Sequence, residues 1–163
     1  MGDSLKHLSK CIIGFAENPY VNIDEEDGEL IHPFDERNIH PEIRKHSIAL
    51  FDDGHYSQAT FEAFKYIDNR VKKASGLSSS GEKLMMAAFK EDGPLIKLNN
   101  LANLSDVDEQ RGYRFIFSGS VSAIRNPRGH EVNLIESTDA CLDHLSFASL
   151  LLRKIDKSVG AVV

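Results

Sequence analysis

Between residues 38 and 157, apolar residues recur every three or four positions, which is the spacing of one face of an α-helix. Apolar and polar residues do not alternate convincingly with period two, the pattern of a half-buried strand. Phe115-Ile116-Phe117 resembles a short strand in isolation, but a helical stripe continues on both sides of it. This periodicity predicts an all-α protein, built as an up-and-down bundle of four to five helices.

Local signals divide this stretch into separate helices. Proline suits the first turn of a helix, as at Pro41, and glycine suits the position after a helix end, as at Gly76. Ser79 and Glu82 form a capping box for a short third helix. The predicted helices run approximately from Pro41 to Gly54, Ser57 to Gly76, Gly81 to Phe89, Ser105 to Arg125 and Ser137 to Asp156. Their predicted apolar faces are Thr60, Ala63, Phe64, Ile67, Val71 and Ala74 in the second helix, Tyr113, Ile116, Phe117, Ser120, Val121 and Ile124 in the fourth, and Leu142, Leu145, Ala148, Leu151, Leu152 and Ile155 in the fifth.

The remainder of the chain is less regular. Residues 1–37 are interpreted as an N-terminal extension, with a short helical pattern at Leu5–Phe15 and five carboxylates within residues 24–29. Residues 38–157 form the predicted helical domain, and residues 158–163 form a C-terminal tail. The acidic run is typical of a solvated loop.

Composition limits the classes of function. With 41% hydrophobic and 27% charged residues, and without a long apolar run or a secretory apolar core, the chain reads as cytoplasmic, with no membrane partner. Its two cysteines are far apart, and no histidine pair has the spacing of metal ligands, so neither a metal nor another cofactor is expected. A net charge of −6 disfavours a broad basic surface, so nucleic acid would have to bind in a local cleft.

The segment Arg125-Asn126-Pro127-Arg128-Gly129-His130 has the groups needed for metal-free RNA cleavage. Histidine exchanges protons near neutral pH, arginine binds phosphate through two points, and asparagine orients either partner. Pro127 is expected to end the fourth helix, because proline disfavours helical geometry in the residue before it. In an unbroken helix Arg125 and His130 would lie about 140° apart, so a bend is expected to bring them together. Arg128 is a candidate for contacting RNA phosphates.

The chain also resembles a known family. The segments that carry the resemblance to Ymh-type bacterial proteins are residues 38–43, 50–56, 62–65, 108–113, 124–131 and 148–156. Together they cover about residues 38–157. This family is similar to the HEPN superfamily, whose signature is an arginine, a polar residue, a short spacer and a histidine. Alanine is usual in Ymh-type sequences where this chain has Gly129.

The resemblance implies a HEPN-like fold and a metal-independent endoribonuclease in prokaryotic defence, abortive infection or a toxin–antitoxin system. Its signature carries over onto Arg125, Asn126 and His130 as the catalytic residues. It also implies a homodimer with two motifs facing one cleft. The sequence does not indicate whether an antitoxin or a sensor protein is a further partner, although an unrestrained RNase would harm its host. For His55, within the matching Gly54-His55-Tyr56, a structural role in a turn is favoured.

Other interpretations stay open. Arg125 could instead complement a helix dipole, and His130 could be a loop histidine that bonds a carbonyl. The whole domain could be a non-enzymatic module for dimerisation or for binding a nucleotide or RNA. A DNA-binding protein is the weakest alternative, because no predicted helix has the basic face of a recognition helix.

Overall fold

The computed structural model describes residues 31–131 and 134–158. The chain divides into two compact units, Met1–Asn38 and Ile39–Val163. In the described part of the first unit, helix α1 (Pro33–Glu36) begins after His32, whose Nδ1 accepts a hydrogen bond from the N–H of Phe34 at 3.1 Å. The predicted helix at Leu5–Phe15 and the acidic run lie outside the described residues.

The second unit is helical, so the all-α prediction is confirmed. No β-strand occurs in residues 31–131 or 134–158. No helix of that same part of the chain is both long and apolar enough to cross a membrane. The elements are α2 (Pro41–Asp52), α3 (Tyr56–Ser75), α4 (Gly81–Ala88), α5 (Leu104–Ser120), a π-helical turn (Val121–Arg125), α6 (Asn126–His130) and α7 (Thr138–Asp156).

Helix α3 is the central element, since it packs against α2, α4, α6, α7 and the π-helical turn. Its predicted apolar stripe is buried, including Phe64, Ile67 and Val71. Helix α7 begins as predicted, because Ser137 Oγ accepts a hydrogen bond from the N–H of Ala140 at 3.3 Å. Its predicted core side is also buried and comprises Leu142, Leu145, Ala148, Leu151, Leu152 and Ile155.

The inner face of α5 differs in part from the prediction. Phe117 is buried and stacks on Phe89 with ring centroids 4.3 Å apart, but Ile116, expected inside, is 41% exposed beside Phe115 at 56%. Seven residues before Phe117, and so on the same face, Gln110 is fully buried. Its side-chain amide bonds three backbone groups of the loop after α4. This buried amide orients the helix and leaves Ile116 outside.

The predicted capping box at the start of α4 is not formed. The N-cap residue is Ser80, and its side chain makes no capping bond. Instead, the N–H of Gly81 donates to Oδ1 of the nearly buried Asp68 at 2.7 Å. The start of α4 is therefore capped by the Asp68 carboxylate of α3, and not by the side chains of Ser79 and Glu82 as the sequence predicted.

Candidate functional site

The candidate catalytic motif, residues 125–130, lies on helical backbone that continues beyond Pro127. Asn126 keeps helical angles (φ −65°, ψ −44°), and its N–H donates to the carbonyl of Val121, five residues earlier. Proline has no N–H and its ring clashes with the carbonyl four residues before it in a regular α-helix. The π-helical turn changes the hydrogen-bond spacing just before Pro127, so α6 follows where the sequence predicted an end and a bend.

Arg125 is held from two sides. Its Nη1 donates to Asn126 Oδ1 at 3.1 Å, and its guanidinium carbon lies 5.5 Å from the centre of the Phe61 ring on α3. Nε of Arg125 is buried and has no hydrogen-bond partner in the described part of the chain. The arginine is therefore pre-oriented on an aromatic face, with one donor still unused.

Gly129 lets α6 approach the same aromatic ring. A Cβ atom at position 129 would lie 2.9 Å from Cε2 of Phe61, closer than ordinary van der Waals contact. The ring also lies below Lys65, whose Nζ is 5.6 Å from its centre. Phe61 therefore contacts Arg125 and limits the size of the residue at position 129.

His130 is the last residue of α6 and its imidazole is exposed. It forms no hydrogen bond or ion pair with side chains of residues 31–131 and 134–158. Because the backbone from Arg125 to His130 stays helical, the two side chains leave the helix about 140° apart. The bend that was expected to unite them is absent, so the arrangement in one copy separates Arg125 from His130.

Arg128 lies in a buried ion pair, with its side chain 8% exposed. Its Nε donates to Glu136 Oε2 at 2.8 Å, and its Nη1 donates to the carbonyl of Ile124 at 2.8 Å. The second carboxylate oxygen of Glu136 lies 2.6 Å from His144 Nδ1 and accepts a bond from Thr60 at 3.1 Å. These contacts favour a structural role for Arg128 rather than the expected contact with RNA phosphates.

The ionisation of this cluster follows from its contacts. Burial alone would raise the pKa of Glu136, but the hydrogen bonds from His144 and Arg128 together bring that pKa below its ordinary value. Next to it, burial raises the pKa of the Cys141 thiol to about 12. Cys141 is therefore a neutral core thiol rather than a nucleophile.

The structure brings together Arg125 and Asn126 but separates them from His130 within one copy. The sequence did not indicate Phe61, Glu136 or His144 as part of the site. Their contacts join α3, α6 and α7, and contacts between residues far apart in the chain leave no local spacing pattern. Among the described residues, no group of three or more His, Cys, Asp or Glu side chains is placed to hold a metal ion.

Comparison with known proteins agrees with the resemblance seen in the sequence. Residues 37–155 match the family model described as "Protein of unknown function (Hypoth_ymh)". The chain therefore belongs to the Hypoth_ymh family. Searches of curated proteins and of solved structures gave no match.

Proposed function

We propose that this protein is a metal-independent endoribonuclease of the HEPN type. Arg125 is hydrogen-bonded to Asn126 and lies over the Phe61 ring, so its guanidinium is positioned on the same helical segment as the exposed His130. This observation supports the proposal because a guanidinium binds phosphate oxygens at two points, and π-helical turns are frequent at functional sites.

The reaction proposed is attack of the 2′-hydroxyl oxygen on the adjacent phosphorus. His130 of one copy removes the 2′-OH proton, and His130 of a second copy protonates the 5′-oxygen as the P–O5′ bond breaks. Arg125 binds the non-bridging oxygens and stabilises the charge that develops there, while Asn126 orients Arg125 through their bond. The products are a 2′,3′-cyclic phosphate and a 5′-hydroxyl.

A second copy is part of the proposal because Arg125 and His130 project about 140° apart on one helix. Helix α5 leads directly into the motif and carries an exposed face of Gly112, Phe115, Ile116 and Gly119, which lie three, four and seven residues after the first of them. A Cβ atom on either glycine would meet nothing within 4 Å. Such a face, with small residues beside large apolar ones, suits close packing of two α5 helices around a shared cleft.

An active endoribonuclease harms the cell that makes it. We therefore place this activity in prokaryotic defence, in abortive infection or in a toxin–antitoxin pair, with an antitoxin or a sensor protein holding it in check. RNA, a second copy and such a regulator are the proposed partners.

The proposal is tested with matched RNA and DNA oligonucleotides of one sequence, in EDTA. The RNA is expected to be cut and the DNA to stay intact, because DNA lacks the attacking 2′-hydroxyl. A single 2′-deoxy nucleotide placed at the cleaved position should block that cut alone. Cleavage of the DNA, or complete loss of RNA cleavage in EDTA, would contradict the mechanism.

The alternative is a non-enzymatic module that binds a nucleotide or dimerises. A second cleft favours it, a cavity of about 490 Å³ between α2, α3 and α7. Arg70 and Lys73 line it together with Tyr66, whose pKa is raised by burial and by Glu42. Nucleotide binding without RNA cleavage by the wild-type protein would support this module.

A further inference from the structure

A separate cavity of about 390 Å³ adjoins the motif. Its walls include Arg128 and Glu131, which flank His130, and residues 54–58, which form the end of the turn after α2 and the start of α3. Gln58 lies three residues before Phe61 on α3, and Arg128 lies three residues after Arg125, so each pair lies on one side of its helix. A nucleotide bound here would be next to the phosphate that Arg125 holds.

The polar groups of the lining fit a nucleobase better than a phosphate. Tyr56, Leu134 and Ile135 are the lining residues with large apolar side chains, and Ile135 is 95% exposed to solvent. The carboxylate of Glu131 is exposed and makes no bond with the described residues. A free carboxylate repels phosphate but accepts hydrogen bonds from base N–H groups. The volume also falls in the range of small-molecule pockets, about 300–1,000 Å³.

His55 adds a second polar group that has no structural partner. Helix α3 begins at Tyr56, with His55 at its cap position, yet the imidazole forms no capping bond. It makes no side-chain hydrogen bond within the described residues and lines the cavity together with Glu131. The structural role that the sequence favoured for His55 rests on its backbone, whose N–H donates to the carbonyl of Leu50 at 2.7 Å and whose carbonyl accepts from the N–H of Ala59 at 2.9 Å. The imidazole is not used in these contacts.

We infer that this cavity is a base-recognition subsite that prefers guanine in the nucleotide next to the cleaved phosphate, which rests on the proposed endoribonuclease function. Guanine is the standard base with two adjacent donors, N1–H and N2–H, on its Watson–Crick edge, and these match the two oxygens of Glu131. His55 donates to O6 or N7 of the same base. In single-stranded RNA this edge is free to be read.

The test uses full-length protein and a pool of RNA oligonucleotides with randomised positions, and sequences the fragments that end in 2′,3′-cyclic phosphate. Wild type is expected to enrich guanine at one fixed position from the cut. Glu131→Gln keeps the shape but loses one of the two acceptors, so guanine enrichment should fall at least about fivefold. Asp92→Asn, which removes a carboxylate from an exposed loop, is the matched control and should keep the enrichment.

Each outcome decides the inference. Guanine enrichment lost in Glu131→Gln and weakened in His55→Ala, but kept in Asp92→Asn, supports the subsite. Cleavage without base preference, or a preference that both variants retain, overturns the subsite and leaves the endoribonuclease standing. Absence of cleavage by wild type overturns the endoribonuclease, and the subsite with it.

Discussion

Arg125 shows how much of the site is determined by single side chains. A buried N–H without an acceptor costs about 1–3 kcal/mol, and Nε of Arg125 has none among the described residues. Stacking on Phe61 and the bond to Asn126 hold the guanidinium in place despite that cost. The guanidinium is thereby oriented before a ligand binds, which is the behaviour expected of a preorganised anion site.

Gly129 provides a prediction at this scale. Gly129→Ala should displace the Phe61 ring and remove the support of Arg125, lowering the rate of RNA cleavage roughly 3- to 30-fold, the value of a cation–π contact. The Tm should change little, because alanine gains about 0.5–1 kcal/mol over glycine in a helix and so offsets the displaced ring. Cleavage assays and thermal unfolding measure the two effects.

The control is the same substitution in a Phe61→Leu background. If the ring transmits the effect, Gly129→Ala should then lower cleavage no further. An equal loss in both backgrounds would show that residue 129 acts by another route.

At the scale of elements, periodicity predicted the helices well because it is a local property. The buried stripes of α3 and α7 and the Ser137 cap follow from residues three and four positions apart. Periodicity did not predict the helical backbone through Pro127. The π-helical turn overrides the preference of the residue before proline for non-helical backbone angles. The buried pair of Arg128 and Glu136 was missed too, because it depends on how α6, α3 and α7 pack.

The ion pair between Arg128 and Glu136 holds α6 against the rest of the helical unit. The substitution Arg128→Met tests this structural role. Methionine fills the space but leaves the Glu136 carboxylate, 2% exposed, without its cation. Removing one partner of a buried ion pair typically costs about 3–5 kcal/mol. Urea unfolding should show a loss of this order. Arg111→Met, at a half-exposed surface pair, should cost under about 1 kcal/mol. An equally small loss for Arg128→Met would contradict the structural role.

The pKa of Glu136 gives a pH dependence with a definite sign. Because the folded pKa lies below the ordinary value, the carboxylate stabilises the fold fully above its unfolded pKa, near 4.5. This stability is lost as the pH falls through the lower, folded pKa. Urea midpoints measured between pH 6 and pH 3 should therefore fall more steeply for wild type than for Glu136→Gln. Parallel profiles would show that Glu136 titrates normally.

At the scale of the molecule, the proposed site needs two copies. Ile116→Glu puts a charge on the α5 face without disturbing the core, since the side chain is 41% exposed. We expect monomers by light scattering, an unchanged Tm for monomer unfolding, and loss of cleavage. Leu150→Glu, at a 53% exposed residue on α7, should leave both dimer and activity intact. A fully active monomer would contradict the shared cleft.

In the proposed mechanism, His130 transfers the proton during metal-free RNA cleavage. The most direct measurement compares wild type, His130→Ala and the control His46→Ala on one RNA in EDTA, with analysis of the fragment ends. We predict 2′,3′-cyclic phosphate ends from wild type and His46→Ala, and a rate at least about 10²-fold lower for His130→Ala. Equal cleavage by His130→Ala would contradict proton transfer by His130, and fragments with a plain 3′-hydroxyl would contradict attack by the 2′-hydroxyl.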